Sequence, residues 1–308
     1  MEDPRAELTY EAAAESPKTI STPAKDHAPS TWGEWVRSCV WLPFLVSLVL
    51  YIIYAQIMPS RMDPNPSFLN AYNPEHRDDI TFPQNPSTIH YGWMIVVFFL
   101  LWMVVAILSE VVLPWKSTVR KSVLGFHLLT LTLALVEALC LTNATTDFIK
   151  FRVGALRPDF FIRCFGPDYA GEIPTTLKNG IYSCPSGELE DIKEGMVSFP
   201  SGHTSVSIGM GMFTTLYCLW CLYMRNRKYM IQWAHSFAKH SDFHAFLVKL
   251  GSQAMFFVAL APVFLAYGVA VTRLMDFRHH FVDVIMGALI GTFISVVVFS
   301  RTVHFFKE

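Results

Sequence analysis

The sequence predicts an all-α, polytopic membrane protein with six transmembrane helices. Its composition is the first reason, because 52% of the 308 residues are hydrophobic and only 16% are charged, which is too apolar for an ordinary soluble domain. The second reason is that the apolar residues are gathered into blocks. Each block approaches or exceeds the roughly 17–25 residues that a helix needs to cross the hydrocarbon core.

Five of these blocks contain no Asp, Glu, Lys, Arg or His, and a sixth is interrupted only by one His and one Glu. In chain order, the six predicted spans are Ser38–Ser60, Tyr91–Ser109, Ser122–Thr146, Ser205–Met224, Leu250–Thr272 and Val284–Ser300. Residues 1–30 are rich in Ala, Glu, Pro, Ser and Thr, so we predict a disordered cytoplasmic tail there. The remainder, residues 31–308, then forms the membrane domain.

The basic residues between the spans predict the orientation. Lys and Arg accumulate in the second and fourth connections and in the C-terminal tail, which are therefore expected to be cytoplasmic, as is the N-terminus. The first and third connections are expected to face the lumen or the exterior. The third connection carries six basic residues, but the rule weakens for long loops. A net charge of −1 gives no reason to expect a nucleic-acid partner.

Three polar islands stand out against this apolar background: "KFRVGALRP" (Lys150–Pro158), "SFPSGHTS" (Ser198–Ser205) and "TRLMDFRHHFVDV" (Thr272–Val284). They follow the third span, precede the fourth and join the fifth to the sixth. Odd-numbered connections lie on the same side of a membrane, so all three islands are expected to meet at one face and to form one site.

The first island carries two cations seven residues apart, Lys150 and Arg157. On a helix this spacing is about two turns and places both on one face. The alternative is a pair of interfacial cations whose charged ends reach toward water.

The second island, Pro200-Ser201-Gly202-His203, directly precedes the uncharged fourth span. Ser201 is a good N-cap, and Gly202 would let an anion approach the free N–H groups of the helix end. Simple capping, with His203 at the surface, is the alternative.

The third island supplies Arg273, His279 and Asp283. If the last helix starts near Phe277, His279 and Asp283 share a face, and the carboxylate can orient the imidazole. His280, three residues before Asp283, is a competing partner, and spacing does not choose between the two histidines. Two histidines and a carboxylate could also hold a metal ion. Three cations at the same place favour instead an anion with about two negative charges, a phosphate.

Together the islands resemble the signature of the type 2 phosphatidic acid phosphatase superfamily, K-x6-RP, PSGH and SR-x5-H-x3-D. Thr272 in place of Ser is the one departure; it keeps a hydroxyl, so we expect little change in activity. The resemblance implies a helical bundle of the phosphatase and haloperoxidase type, with no metal ion or cofactor. It also implies roles for eight residues: nucleophile His279, orienting partner Asp283, acid His203, and a phosphate cradle of Lys150, Arg157, Arg273, Ser201 and Gly202.

Within that superfamily, "RPDFFIRCFG" and "DFRHHFVDVIMG" resemble the lipid phosphate phosphatases of the diacylglycerol pyrophosphate phosphatase kind. We therefore expect hydrolysis of phosphatidic acid, diacylglycerol pyrophosphate, lysophosphatidic acid or related lipids in a plasma membrane or endomembrane, on the lumenal or outer side. Rival enzymes are a polyprenyl, sphingoid or sugar phosphate phosphatase and a vanadate haloperoxidase. A catalytically silent lipid-phosphate-binding protein or a small transporter is the rival from another class.

Three further features carry smaller expectations. Cys164 and Cys184 share the third connection and could form a disulfide if that compartment is oxidising. Glu137, inside the third span, is expected to be a protonated, hydrogen-bonded acid facing the bundle rather than a contact of the substrate. Asn143 begins a glycosylation sequon, but it lies against the membrane, where we do not expect it to be used.

Overall fold

The structure is a computed structural model, and it describes residues 31–61, 79–111, 121–168, 184–185, 188–225, 227–239 and 241–305. The predicted disordered tail, residues 1–30, lies outside the described residues. Throughout the described part of the chain the regular structure is helical, without a strand. The all-α prediction is therefore confirmed.

Ten α-helices follow one another along the described ranges. They are α1 (Trp32–Arg37), α2 (Leu42–Arg61), α3 (Tyr91–Val111), α4 (Lys121–Val153), α5 (Phe160–Phe165), α6 (Leu189–Gly195), α7 (Gly202–Trp220), α8 (Arg227–Ala238), α9 (Asp242–Met275) and α10 (Phe281–Phe305). A single π-helical turn, Cys221–Arg225, continues α7.

Five of the helices in the described residues are long and apolar enough to cross a membrane: α3, α4, α7 with its π-helical turn, α9 and α10. The predicted first span corresponds to α2, whose apolar portion among the described residues is Leu42–Tyr54. Among the described residues, five of the six predicted spans are therefore long apolar helices, and a shorter apolar helix stands at the place of the first.

Several helices extend beyond the uncharged runs that predicted them. The helix α4 continues past Thr146 to Val153, and α9 begins at Asp242, eight residues before the run that starts at Leu250. A charged residue ends a run of hydropathy, but it does not interrupt the backbone hydrogen bonds of a helix. For this reason Lys150 lies on a helix and not in the connection after it.

The helix α7 occupies the centre of the bundle, where it packs against α10, α9, α4 and α3. Its contact with α10 depends on two glycines of α10. A Cβ on Gly287 would lie 2.6 Å from the carbonyl oxygen of Ser201, and one on Gly291 would overlap the carbonyl oxygen of Ser205. Only glycine permits so close an approach, and the approach brings the second island beside the third.

Two apolar clusters hold the molecule together. In the bundle, the Trp102 ring meets the rings of Phe213 and Tyr217 edge-on, at centroid distances of 5.5 and 5.1 Å. A smaller cluster, here called the cap, covers the island end and consists of Ile80, Leu156, Phe160, Phe161, Cys164, Phe165, Ile192 and Met196. A disulfide joins Cys164 of the cap to Cys184, with a Cα–Cα distance of 4.8 Å.

Candidate active site

Backbone hydrogen bonds join the three islands to one another. The N–H of Ser201 donates to the carbonyl of Asp283 at 3.0 Å, and the N–H of Ser198 donates to the carbonyl of Ala155 at 2.9 Å. The second island therefore lies between the first and the third. All three meet at one end of the bundle, as the order of the connections predicts.

The helical argument for Lys150 and Arg157 is wrong. The helix α4 ends at Val153, and Gly154 follows with a φ of 66°, a left-handed conformation that glycine adopts readily. The chain turns back there, and the N–H of Arg157 donates to the carbonyl of Gly195 at 2.8 Å. Both cations still enter the site, because the turn after α4 returns Arg157 toward it.

Lys150 is buried, and its ammonium faces few negative groups. Its Nζ donates to the carbonyl oxygen of Val197 at 2.8 Å, and no carboxylate in the described residues lies within 4 Å of it. Its Cε passes beside Gly202, 3.5 Å from where a Cβ on that glycine would lie. Lys150 therefore holds a positive charge with no direct ion-pair partner among the described residues, at the N-terminal end of α7, where an anion is favoured.

Arg157 has a partner that a ligand can reach. Its Nη1 lies 2.9 Å from Oε1 of Glu194, whose side chain is 51% exposed, while its buried Nε has no partner. Burial opposes ionisation of Glu194, but Arg157, Arg163 and Arg278 together hold its pKa below its usual range. The ionised Glu194 thus forms an ion pair with Arg157, which the resemblance assigns to phosphate binding.

Ser201 is the N-cap of α7, as predicted, and its side-chain oxygen accepts from the N–H of Thr204 at 3.5 Å. Its own N–H is engaged with Asp283, so Ser201 ties the islands together at the start of the helix. A contact between Ser201 and phosphate stays a prediction.

His203 follows in the first turn of α7. Its Nε2 lies 3.1 Å from the carbonyl oxygen of Ile89, and its ring meets the ring of Tyr91 edge-on at a centroid distance of 5.1 Å.

Arg273 is 1% exposed, and the protein holds its guanidinium from several sides. Its Nη2 lies 3.0 Å from Oδ2 of Asp276, and its Nη1 donates to the Ser87 hydroxyl at 2.8 Å. Its Nε and Nη2 also donate to the hydroxyl of Thr272, at 3.2 and 2.9 Å. The hydroxyl is the part of Thr272 that a serine would share, so the departure from the signature preserves this contact.

The helix α10 begins at Phe281, so His279 precedes the helix instead of sharing a face with Asp283. The two side chains are near all the same, with 3.6 Å between Nδ1 of His279 and Oδ2 of Asp283. For His280 the corresponding distance is 3.5 Å. Oδ2 of Asp283 also accepts from the Ser198 hydroxyl at 2.5 Å and from the N–H of His280 at 2.9 Å.

Distance does not separate the two histidines, but environment does. The His279 side chain is 3% exposed and that of His280 is 35% exposed. Burial, reinforced by Lys150 and Arg157, lowers the pKa of His279 to about 3, although Asp283 acts in the opposite direction. Burial also opposes the charged form of His280, yet Asp283 and Asp79 raise its pKa. His279 is therefore neutral at physiological pH, whereas His280 keeps its proton to a higher pH than an ordinary histidine.

Two parts of the site had not been predicted from the sequence. Arg278 lies between two acids, with its Nη1 3.8 Å from Oε1 of Glu194 and 3.9 Å from Oδ2 of Asp159. Its position next to His279 in the third island could have indicated from the sequence that Arg278 belongs to the site. The other part is the segment 79–90, whose hydrogen bonds to the islands come from backbone and hydroxyl groups and leave no recognisable pattern in the sequence.

Far from the islands, Glu137 faces the bundle and is 2% exposed. Nη1 of Arg301 donates to its Oε1 at 2.7 Å, and Nη2 donates to its Oε2. The expectation of a protonated acid is therefore replaced by an ion pair. Asn143 lies inside α4, and its side-chain oxygen accepts from the hydroxyl of Tyr91.

No group of three metal-binding side chains occurs among the residues that the structure describes. A reaction without a metal ion or another cofactor stays a prediction.

Several known phosphatases are similar to this chain in sequence. The Lipid phosphate phosphatase 2 of Arabidopsis thaliana is 29% identical over 259 residues, which cover 82% of this chain and 72% of the relative. The Phospholipid phosphatase 2 of Homo sapiens is 24% identical, over 75% of this chain and 72% of the relative. The Diacylglycerol pyrophosphate phosphatase 1 of Saccharomyces cerevisiae is 32% identical over 167 residues, with coverage of 54% and 49%. No solved structure matches.

The sequence pattern of the PAP2 superfamily matches residues 131–306, a range that contains all three islands. This match covers more than half of the 308 residues. The chain therefore belongs to the PAP2 superfamily, the type 2 phosphatidic acid phosphatases.

Proposed function

We propose that this protein is an integral membrane lipid phosphate phosphatase that acts through a phosphohistidine at His279. The observation that carries the proposal is the assembly of three separate islands into one buried cationic site around a neutral imidazole. A phosphate ester resists attack because its oxygens are negative, and cations with helix N–H donors stabilise them as bonds change.

In the first step, Nε2 of His279 attacks phosphorus, and the bond from phosphorus to the ester oxygen breaks. Burial keeps the pKa of His279 low, so its lone pair is available. Asp283 stabilises the positive charge that develops on the ring, because its Oδ2 is 3.6 Å from Nδ1. Lys150, Arg157 and Arg273 hold the phosphate oxygens, with the N-terminal end of α7 at Ser201-Gly202.

His203 serves both steps. A lipid alkoxide is a poor leaving group, so His203 gives a proton to the ester oxygen as it departs, and a neutral alcohol forms. The resulting neutral imidazole then takes a proton from water, whose oxygen attacks the phosphohistidine. Inorganic phosphate leaves, and His279 and His203 return to their starting states. No metal ion takes part in this scheme.

The substrate is a phosphate on a lipid that stays in its leaflet. A site at the ends of membrane-crossing helices lies at headgroup depth, and phosphatidic acid, diacylglycerol pyrophosphate and lysophosphatidic acid present phosphate there. The names of the relatives, lipid phosphate phosphatase and diacylglycerol pyrophosphate phosphatase, support this class. Polyprenyl and sphingoid phosphates are the alternative substrates.

The site faces the lumen or the exterior of a plasma membrane or endomembrane, and both termini face the cytoplasm. The disulfide between Cys164 and Cys184 supports this side, because disulfides persist in oxidising compartments. The basic residues of the second and fourth connections support the same orientation.

A purified protein in detergent micelles tests the proposal directly. Release of inorganic phosphate is measured from phosphatidic acid, diacylglycerol pyrophosphate, lysophosphatidic acid, a sphingoid phosphate, a polyprenyl phosphate and a sugar phosphate, each with and without EDTA. We expect turnover of the glycerolipid phosphates that persists in EDTA. Turnover of none of these would contradict the proposal, and loss in EDTA with recovery on adding a divalent metal would contradict the metal-free mechanism.

A further inference from the structure

The segment 79–90, here called the strap, runs across all three islands. The N–H of Phe82 donates to the carbonyl of Pro158 at 3.0 Å, and the Phe82 ring stacks on that of Phe277 with 4.7 Å between centroids. Further along, the carbonyl oxygen of Ile89 meets Nε2 of His203 at 3.1 Å. The strap thus contacts the first, third and second islands in turn.

Thr88 clamps Asp276 with two groups. Its N–H donates to Oδ2 of Asp276 at 2.9 Å, and its hydroxyl donates to Oδ1 at 2.5 Å. Asp276 in turn accepts from Nη2 of Arg273 at 3.0 Å. Thr88 therefore fixes the carboxylate that fixes a cation of the phosphate cradle.

Ser87, the residue before it, contacts the same guanidinium, because its hydroxyl accepts from Nη1 of Arg273 at 2.8 Å. A guanidinium has five N–H groups. The contacts of Arg273 to Thr272, Asp276 and Ser87 engage its Nε, both hydrogens of Nη2 and one of Nη1. One N–H of Nη1 remains for a phosphate oxygen, so the direction in which Arg273 donates is set by the strap.

The contact of Ile89 determines which nitrogen of His203 can exchange a proton with the substrate. A carbonyl oxygen only accepts, so Nε2 carries hydrogen in the neutral and in the charged ring. The proton that distinguishes the two forms is then on Nδ1.

We propose that the strap is a positioning element for the reaction: Thr88 aims Arg273 through Asp276, and the carbonyl of Ile89 directs Nδ1 of His203 at the leaving oxygen. The inference rests on the proposed function. When the bond from phosphorus to the ester oxygen breaks, the proton on Nδ1 moves to that oxygen and Nε2–H stays bonded to Ile89. Because Thr88 adjoins Ile89, its anchor on Asp276 serves both residues.

The test uses three variants of the full chain in detergent. Thr88→Val keeps the size of the side chain but removes the hydroxyl, and Thr88→Ser restores the hydroxyl without the methyl. Gln84→Ala is the matched control, because Gln84 lies in the strap and its side-chain amide, among the described residues, reaches the partly exposed Asp191, at 3.3 Å. Thr88 is exposed, so its replacement is compatible with folding.

Two substrates separate aiming of the acid from loss of structure. One is phosphatidic acid, whose alkoxide needs a proton to leave; the other is a nitrophenyl phosphate with an alkyl chain on the ring, whose phenolate leaves without one. For Thr88→Val we expect KM to rise for both substrates. In single-turnover experiments, phosphorylation of the enzyme by phosphatidic acid should slow about tenfold, whereas the burst of nitrophenol from the aryl phosphate should keep its rate. Thr88→Ser and Gln84→Ala should stay within about twofold of the parent protein.

Equal slowing of the phosphorylation step with both substrates, or no recovery in Thr88→Ser, would overturn the inference, and so would unchanged kinetics in Thr88→Val. A parent protein that turns over neither lipid nor aryl phosphate would instead remove the proposed function. The two failures are therefore distinguishable.

Discussion

The two ends of the helical bundle both bury charge, but they balance it differently. At the far end, Glu137 and Arg301 form a one-to-one ion pair through both oxygens of the carboxylate. At the island end, the hydrogen-bond partner of Lys150 among the described residues is a backbone carbonyl, and Arg157 shares a half-exposed Glu194. Closed pairs suit a stabilising role, whereas open cations are completed by an anionic ligand.

Distance along the helices keeps the two ends apart. Glu137 and Lys150 lie on the same helix, α4, separated by about 20 Å at 1.5 Å per residue. Changes at one end are therefore expected to act independently of changes at the other. The following variants test whether the charges at the two ends have different roles, beginning with the largest expected effect.

The two adjacent histidines of the island end should respond very differently. His279→Asn removes the neutral imidazole, and we expect hydrolysis of phosphatidic acid to fall at least about 10⁴-fold, as for other enzymes that lose their nucleophile. His280→Asn, the matched control, should stay within about tenfold of the parent protein because His280 does not attack phosphorus. Comparable losses in the two variants would contradict the assignment based on burial.

Removing the charge of Lys150 should affect catalysis more than folding. For Lys150→Met we expect kcat/KM to fall about 10²–10³-fold, the usual effect of losing one charged group that stabilises a transition state. The melting temperature should fall little, because among the described residues the ammonium has one hydrogen bond, to the carbonyl of Val197, and no carboxylate within 4 Å. A variant with parental kcat/KM would show that Lys150 does not contact the phosphate.

The far end should show the opposite behaviour. Glu137→Gln leaves the guanidinium of Arg301 without its counter-charge, and since Arg301 is 36% exposed, the expected loss of stability is modest, about 1–3 kcal/mol. The melting temperature in detergent checks this, and kcat/KM per folded molecule should be unchanged. If kcat/KM falls with the fold intact, Glu137 takes part in the reaction.

The last prediction concerns pH. Because the pKa of His279 is about 3 in the folded protein and about 6.5 in an unfolded chain, the unfolded state binds the extra proton between these values. Stability should therefore be complete above about pH 6.5 and decline as pH falls toward 3, with a slope of at most ~1.4 kcal/mol per unit. Melting temperatures measured from pH 7 to pH 4 should decline less steeply in His279→Asn than in the parent protein.

Most of the fold could be predicted, because blocks of hydrophobic residues mark the helices. The meeting of the islands could also be predicted, because successive connections lie on alternate sides of the membrane. The positions at which the helices end were harder to predict from the sequence. Lys150 lies on α4 because charge does not stop a helix, and Arg157 lies beyond it because Gly154 turns the chain. No periodicity in the sequence signals that turn.

The spacing of residues in the sequence could not distinguish His279 from His280 either. The structure separates them by burial, which depends on how the cap and the start of α10 pack. The strap could not be predicted either, since it acts through the carbonyl of Ile89 and the hydroxyls of Ser87 and Thr88. Such groups carry no charge or hydropathy pattern.

The central claim is that His279 carries the phosphoryl group, and trapping the intermediate tests it most directly. In His203→Ala, an alkylated nitrophenyl phosphate should still phosphorylate His279, because its phenolate leaves without an acid, while hydrolysis should be slow without a base. After quenching in alkali, we predict about one protein-bound phosphate per molecule, released by mild acid and absent when His279→Asn is added. Bound phosphate in that double variant, or nitrophenol release by His203→Ala without any bound phosphate, would contradict the account.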